Sequence, residues 1–115
     1  MLAKVNAIGL SGIDGYLVST EVDITNGLPG FEIVGLGDTS IKESKERVKA
    51  AIKNSGFKYP MNKVVVNLAP ADIKKEGPMF DLAIAVGILF ATNQIEILHK
   101  DNTIFIGELS LDGTI

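Results

Sequence analysis

The spacing of hydrophobic and polar positions is most informative in residues 64–91, where a buried strand, a polar loop and a buried helix follow one another. Val64, Val65 and Val66 are β-branched and uninterrupted by charge, which predicts a strand covered on both faces. Pro70 ends this pattern, because proline has no N–H group to donate to a strand ladder. Residues 82–90 are almost entirely apolar and predict a helix buried inside the domain. Such a helix is too short to cross a bilayer, which needs about 20 apolar residues, so we expect no membrane contact.

Three strands are predicted before this stretch. Residues 4–10 and 16–24 have strand-like patterns, and the glycines and aspartate between them accept the backbone conformation that a hairpin turn requires. We expect this hairpin to lie at an edge of the sheet, because its second strand has one polar face. Residues 31–34 predict a third, shorter strand.

A long charged helix is predicted to follow the third strand. Asp38 or Thr39 is expected to cap its first turn, and Gly56 to end it in a left-handed conformation. The predicted buried stripe recurs at three- and four-residue steps and consists of Ile41, Ser44, Val48, Ala51 and Ile52. The neighbouring face, which we expect to be exposed to solvent, carries Lys42, Lys45, Lys49 and Lys53.

The last part of the chain predicts a fifth strand over residues 103–106, continuing through Gly107 into residues 108–111. Asp112 and Gly113 form a hairpin signal, yet only two residues follow them. We therefore expect this chain to be the N-terminal piece of a longer polypeptide. The predicted order β-β-β-α-β-α-β indicates an α+β fold with a mixed sheet and both helices on one face.

Composition narrows the class of protein further. A length of 115 residues with 46% hydrophobic content predicts a single domain over residues 1–115. The sequence has no cysteine, which excludes disulfide bonds, thiol nucleophiles and thiolate metal sites. No signal peptide pattern is seen at its start, so we expect a cytoplasmic protein. The net charge of −3 is unevenly distributed, because residues 42–63 hold seven basic and two acidic side chains. This basic stretch bears on the choice of partners.

Four separated blocks of sequence then carry a family resemblance. They are residues 29–36 (PGFEIVGL), 38–48 (DTSIKESKERV), 67–77 (NLAPADIKKEG) and 107–113 (GELSLDG). In this order they resemble the N-terminal domain of the competence-type magnesium-chelatase-like AAA+ ATPases, the ComM/YifB family, over essentially the whole chain.

The resemblance implies a fold, an assembly and cofactors. The domain is expected to resemble domain 2 of ribosomal protein S5 and the proteolytic domain of Lon, and to be followed by an AAA+ module of the same chain. ATP and Mg²⁺ are then expected in that module, with no cofactor in residues 1–115. Full-length members are expected to form homo-hexamers and to act on DNA during recombination in natural transformation.

The likeness to Lon raises the alternative of a peptidase. Lon-type peptidases place a serine just after a Gly-Pro pair and activate it with a lysine on a later helix. Here Gly77 and Pro78 are followed by Met79, whose thioether cannot be deprotonated to attack a carbonyl. We therefore expect no catalytic residue in this chain and interpret Met79 as a packing residue.

Nucleotide and metal sites are also not expected within these residues. No GxxxxGK[ST] motif occurs, and residues 35–40 (GLGDTS) differ from a dinucleotide fingerprint, because Ser40 replaces the third glycine and Asp38 would repel a phosphate. We interpret them as a tight turn with a helix cap. His99 is the only histidine and is expected to be a solvated surface residue in a turn rather than a metal ligand.

Two surfaces remain as candidate sites. The lysine stripe of Lys42, Lys45, Lys49 and Lys53 extends over roughly 16 Å of helix and is a candidate nucleic-acid contact. Ion pairs such as Glu43 with Arg47, and the lack of aromatic residues between the lysines, favour an ordinary solvated face instead. The polar loop over residues 71–81 is a candidate contact for a partner, through Asp72, Lys74, Lys75 and Glu76.

The resemblance thus implies an accessory domain of a DNA-directed AAA+ ATPase, contributing assembly or substrate contacts, and the residues at positions 77–79 favour a non-catalytic one. A Lon-like peptidase, active or degenerate, is one alternative. A purely structural assembly domain without a ligand is another.

Overall fold

The computed structural model describes residues 2–11, 14–73 and 75–115. It contains a four-stranded sheet built from β1 (Leu2–Ser11), β2 (Asp14–Thr25), β3 (Gly30–Val34) and β4 (Lys63–Ala69). The spatial order is β1-β2-β4-β3, with β1 antiparallel to β2, β2 antiparallel to β4, and β3 parallel to β4. The sheet is therefore mixed, as the sequence predicts, and its two edges are β1 and β3.

Two helices pack on one face of this sheet. They are α1 (Asp38–Asn54) and α2 (Asp81–Ala91), and they contribute to one core together with the buried side of the strands. Val18, Val22, Val64 and Val66 on the strands have no measurable exposure, and neither does Ile84 of α2. The α+β class and the two helices on one face are confirmed, an arrangement compatible with domain 2 of ribosomal protein S5. Among the described residues, neither helix is long and apolar enough to span a membrane.

The central strand corrects one prediction. Along β4 the buried positions Val64, Val66 and Leu68 alternate with half-buried ones, so coverage of both faces was wrong. Val65 points to the face opposite the helices and stays half-buried there. The predicted end of the strand is confirmed, because β4 stops at Ala69, immediately before Pro70.

The hairpin of β1 and β2 is confirmed, with Val5 opposite Thr20 and Ala7 opposite Val18. Its turn residues Gly12 and Ile13 lie outside the described part of the chain. Only β1 lies at an edge, since β2 is inserted between β1 and β4. The expectation of an edge hairpin therefore holds for one of its strands.

The first helix begins differently from the prediction. Its N-cap residue is Gly37, which makes no side-chain cap hydrogen bond, and Asp38 is already its first helical residue. The predicted cap by Asp38 or Thr39 was therefore wrong. The helix end is confirmed, because Gly56 has φ of +86° just after the C-cap residue Ser55. The predicted stripe is also confirmed, with four of its members buried and Ile41 half-buried.

The predicted fifth strand over residues 103–106 is reduced to an isolated parallel bridge between Ile104 and Asn6. The segment turns away because Gly107 donates its N–H to the Met79 carbonyl and accepts the N–H of Leu82, both at 3.1 Å. These two bonds direct the backbone toward the start of α2 instead of along β1.

A turn at residues 111–113 is confirmed, with Gly113 at φ of +93° and the Ser110 N–H bonded to the Thr114 carbonyl at 2.7 Å.

Candidate functional site

The loop before α2 is anchored to the turn before α1 by the main chain of Lys75. Its N–H donates to the Gly35 carbonyl at 2.9 Å, and its carbonyl accepts the Gly37 N–H at 2.8 Å. Gly35 has φ of +97°, and a Cβ there would lie 2.6 Å from the Leu68 carbonyl oxygen, so this turn requires glycine. The tight turn predicted within residues 35–40 lies at residues 35–37, because residues 38–40 already belong to α1, and the cap predicted with it was wrong.

The Lys75 side chain points into the protein. Only 3% of the residue is exposed, and its Nζ donates to the carbonyls of Pro70 at 2.5 Å and Ile73 at 2.6 Å. Burial lowers the pKa of this ammonium, and the nearby charge of Asp72 opposes that effect. Lys75 therefore closes the loop upon itself.

The other predicted loop residues are placed differently. Asp72 and Glu76 are exposed, and Lys74 lies outside the described residues. The role of this loop in partner contact stays a prediction.

Glu76 places a negative charge beside the first turn of α1. Its carboxylate lies against Gly37, where an added Cβ would be 2.6 Å from Glu76 Oε2. Ser40 Oγ donates to Glu76 Oε2 at 3.4 Å and accepts the Gly77 N–H at 3.3 Å. Helix N-termini attract anions, and here a carboxylate of the chain itself occupies that region. This arrangement disfavours a phosphate site at residues 35–40.

A buried ion pair joins the two helices and was not predicted from the sequence. Asp81 has no exposure and accepts hydrogen bonds from Ser44 Oγ at 2.7 Å and from Arg47 Nε at 2.5 Å and Nη2 at 3.2 Å. It also accepts the backbone N–H of Leu109 at 3.1 Å, which ties the C-terminal segment to the same carboxylate. The hydrogen bond to Asp81 raises the pKa of Arg47, against an opposing effect of burial. The predicted pair of Glu43 with Arg47 is present at 3.7 Å.

One signal in the sequence points to this pair. Arg47 is the only arginine among ten lysines, and Asp81 directly precedes a helix that is otherwise apolar. A planar guanidinium suits a bidentate, partly buried ion pair better than a lysine does. The sequence places Asp81 at the end of the polar loop over residues 71–81, whereas in the structure it is the buried first residue of α2.

Met79 directly follows Gly77 and Pro78, just before the start of α2. It is half-buried and borders a recess of about 290 Å³ whose walls also include Tyr16, Lys75 and Phe80. The ammonium of Lys75 in this recess is already bonded to two carbonyls. The expectation that this chain is not catalytic stays a prediction, and the packing role of Met79 agrees with its contact with the core.

The four lysines of α1 form the second candidate site. Lys42, Lys49 and Lys53 are exposed and Lys45 is half-buried. The predicted exposure to solvent is therefore confirmed for three of the four, and Lys45 is more buried than expected. Their role in nucleic-acid contact stays a prediction.

Two aromatic rings lie beside these lysines, although none is interleaved with them along the chain. Lys45 Nζ is 6.0 Å from the ring centroid of Phe31, and Lys49 Nζ is 5.5 Å from that of Tyr59. The two rings are 5.8 Å apart and inclined by 36°. They come from β3 and from the segment before β4, so a reading of the helix alone could not find them.

The lysines and the rings border two adjoining grooves, which together we call the lysine trough. The groove toward the start of α1 has a volume of about 320 Å³ and is lined mainly by Phe31, Ile41, Lys42, Lys45 and Lys49, with Asp38 and Glu46 at its margin. The second has about 280 Å³ and is lined by Lys49, Lys53, Tyr59, Pro60 and Met61, together with residues 29–31 and Asn62. Phe31 and Lys49 border both grooves.

Tyr59 contributes an unusual polar atom to this region. Its hydroxyl is buried and finds no hydrogen-bond partner among the described residues. Burial raises the pKa of this phenol. The hydroxyl is therefore held neutral, and the ring is the part of Tyr59 that contributes to the trough.

The remaining candidate, His99, is exposed in a turn with φ of +55°. Among residues 2–11, 14–73 and 75–115, no group of three or more acidic or histidine side chains could hold a metal ion.

Comparison with known proteins agrees with the resemblance seen in the sequence. Residues 20–115 match the family model of subunit ChlI of Mg-chelatase. Competence protein ComM of Haemophilus influenzae is 46% identical over 114 residues, which is 99% of this chain and 22% of that protein. YifB of Salmonella typhimurium and YifB of Escherichia coli K12 are 43% and 42% identical over the same shares of each chain. This chain thus spans less than a quarter of the length of these relatives, and it belongs to the magnesium-chelatase-like family of ComM and YifB.

Proposed function

We propose that this domain is a non-catalytic accessory domain of a magnesium-chelatase-like AAA+ ATPase that acts on DNA, where it contributes assembly or substrate contacts. The observation that carries the proposal is the 46% identity to a competence protein over 99% of the chain. Competence is the uptake of DNA, so a relative named for it supports a DNA-directed role. In this proposal ATP and Mg²⁺ bind to an AAA+ module outside residues 1–115, and the protein acts in the cytoplasm as a homo-hexamer.

The non-catalytic part of the proposal rests on the chemistry of the loop before α2. Met79 offers a thioether that cannot act as a nucleophile, and the nearby Lys75 ammonium is engaged by two carbonyls. A general base would need a free, neutral amine beside a hydroxyl. The loop is thus suited to holding the turn before α1 and not to peptide cleavage.

The DNA-directed part is supported by the charge of α1. Three of its four lysines are exposed and Lys45 is half-buried, and all lie beside the helix stripe that packs into the core, so phosphates can reach them without unfolding of the domain. Phosphate contacts of this kind are independent of sequence and weaken as salt rises.

The proposal is tested in full-length ComM by deleting the region that matches this chain. We expect the deletion to weaken DNA binding or DNA-dependent ATP hydrolysis, while hydrolysis without DNA persists. Native mass measurement of both forms separates the two contributions, since loss of the hexamer alone would identify a structural assembly domain. Unchanged DNA binding, hydrolysis and assembly would contradict the proposal.

Peptidase activity is tested directly with the 115-residue chain and casein. We expect no fragments, and the variant Met79→Ser is expected to remain inactive because the amine of Lys75, which lines the same recess, is bonded to two carbonyls. Cleavage of casein by the natural chain would refute the non-catalytic assignment.

A further inference from the structure

We propose that the lysine trough binds single-stranded nucleic acid, with phosphates along α1 and bases against the surface formed by Tyr59, Pro60 and Met61. This inference rests on the proposed DNA-directed function and names the form of nucleic acid that the domain recognises. It follows from the presence of a cationic surface and an apolar surface in the same groove.

The cationic wall matches a sugar–phosphate backbone. Lys42, Lys45, Lys49 and Lys53 succeed one another at three- and four-residue steps, which places their ammonium groups along one side of α1. The wall extends over about 16 Å, given a rise of 1.5 Å per residue. Glu46 and Asp38 border only the groove toward the helix start, so the charge at the Lys49–Lys53 end is the less compensated.

The apolar wall lies at that less compensated end. Met61 is 77% exposed and lines the second groove together with Pro60 and Tyr59. The ring of Tyr59 packs against the core and lies 5.8 Å from the ring of Phe31, and these contacts hold it in place. Fixed aromatic surfaces beside cations are the usual arrangement for stacking unpaired bases.

A single nucleic-acid strand can contact both the lysines and the apolar surface, whereas other ligands would contact only one of them. In a duplex the base faces are stacked within the helix, so a duplex would contact the lysines and leave the apolar surface uncovered. An acidic peptide would pair with the lysines, yet carboxylate side chains carry no flat apolar surface for Tyr59 and Met61. The free edge of β3 begins at Gly30 beside the same groove, and pairing of a peptide with it is the outcome to be excluded.

The test is a fluorescence anisotropy titration of the 115-residue chain with an oligothymidine strand and with a duplex of equal length. We expect the single strand to bind the more tightly, with a salt slope of about −3 for four contacts at roughly −0.7 each. The double variant Lys49→Glu/Lys53→Glu is expected to lose about tenfold or more in affinity and to reduce the steepness of the slope by about 1.4. Its matched control is Lys4→Glu/Lys100→Glu, which makes the same charge change beside β1, at the edge of the sheet opposite β3.

A second variant separates base contact from charge. Met61→Ser removes apolar surface at an exposed position, so folding is not at risk, and we expect a loss of about threefold for the single strand with no change for the duplex. Equal loss in the trough variant and its control, or an unchanged affinity of Met61→Ser, would overturn the trough while leaving the DNA-directed function intact. Binding of polyglutamate in place of any DNA would overturn it in favour of a peptide partner. If neither DNA binds the chain and deletion in full-length ComM also leaves DNA binding unchanged, both proposals fail.

Discussion

The carboxylate of Asp81 is fully buried, and its charge is compensated there by the groups that donate hydrogen bonds to it. Ser44, Arg47 and the Leu109 N–H donate to it, so four donor atoms from α1 and the C-terminal segment converge on its two oxygens. A buried charge that loses its partner costs far more than an exposed one. This carboxylate is therefore a structural centre at the junction of α1, α2 and the C-terminal segment.

Replacing Arg47 should reveal this dependence. We expect Arg47→Met to lower the free energy of unfolding by about 3 kcal/mol or more, because the methionine keeps an apolar stem but leaves Asp81 uncompensated. Urea unfolding measures the change. Glu43→Gln is the control, since Glu43 is an exposed partner of the same arginine and should cost no more than about 0.5 kcal/mol. Equal effects of the two substitutions would show that Arg47 acts only at the surface.

Lys75 should introduce a pH dependence of stability. Its pKa is lowered in the folded protein by burial, so the folded state binds fewer protons than the unfolded state between the folded pKa and the ordinary lysine value near 10.5. Stability of the natural chain relative to Lys75→Met should therefore rise as pH increases through that window, and stay constant below it. Urea unfolding of both proteins from neutral to alkaline pH measures this difference. A difference that falls over this range would contradict the assignment.

At the scale of elements, the packing of α2 against the hairpin depends on one glycine. A Cβ added at Gly87 would lie 2.6 Å from Val22 Cγ2, a β-branched side chain with little rotational freedom, in the centre of the core. The missing side chain thus sets how closely helix and sheet approach.

Gly87→Ala should consequently destabilise the domain although alanine favours helices. We expect the added methyl group to lower the free energy of unfolding by about 1–3 kcal/mol through overpacking, which exceeds the gain in helix propensity of about 1 kcal/mol. The melting temperature should therefore fall by several degrees. Gly30→Ala is the control, because an added Cβ there has no neighbour within 4 Å. A calorimetric scan in which Gly87→Ala melts at or above the natural chain would refute this view of the packing.

Elements whose signal lies in their own residues could be predicted from the sequence. The alternation in β2, the stripe of α1 and the apolar run of α2 are local patterns, and each element is present near its predicted bounds. The predictions that were wrong concern residues whose hydrogen-bond or packing partners are distant along the chain. Residues 103–106 read as a strand, but Gly107 is held by Met79 and Leu82 instead, and nothing within the segment indicates that competition.

The same distinction applies to the candidate site. The positions of the lysines on α1 follow from helical period, so their exposure could be predicted. Phe31 and Tyr59 could not be placed beside them, because they reach the helix only through the parallel pairing of β3 with β4. The burial of Lys75 and Asp81 likewise results from contacts with the Gly35–Gly37 turn and with Arg47, which no local pattern encodes.

At the scale of the whole molecule, charge is separated from the apolar interior along α1. One side of the helix contributes Val48, Ala51 and Ile52 to the core, and the adjacent side presents four lysines to the trough. The loop before α2 is meanwhile closed by its own hydrogen bonds. In this account the domain offers the cationic surface of the trough to DNA.

The most direct test of this account maps where DNA contacts the folded domain. In a nuclear magnetic resonance titration of the isotope-labelled 115-residue chain with an oligothymidine strand, we predict that the shifted amide signals cluster at residues 42–53, at Phe31 and at residues 59–62. Signals from the open face of the sheet, such as Leu17 and Val65, should remain in place. Shifts confined to the sheet or to residues 71–77, or no shifts at any DNA concentration, would contradict the central claim.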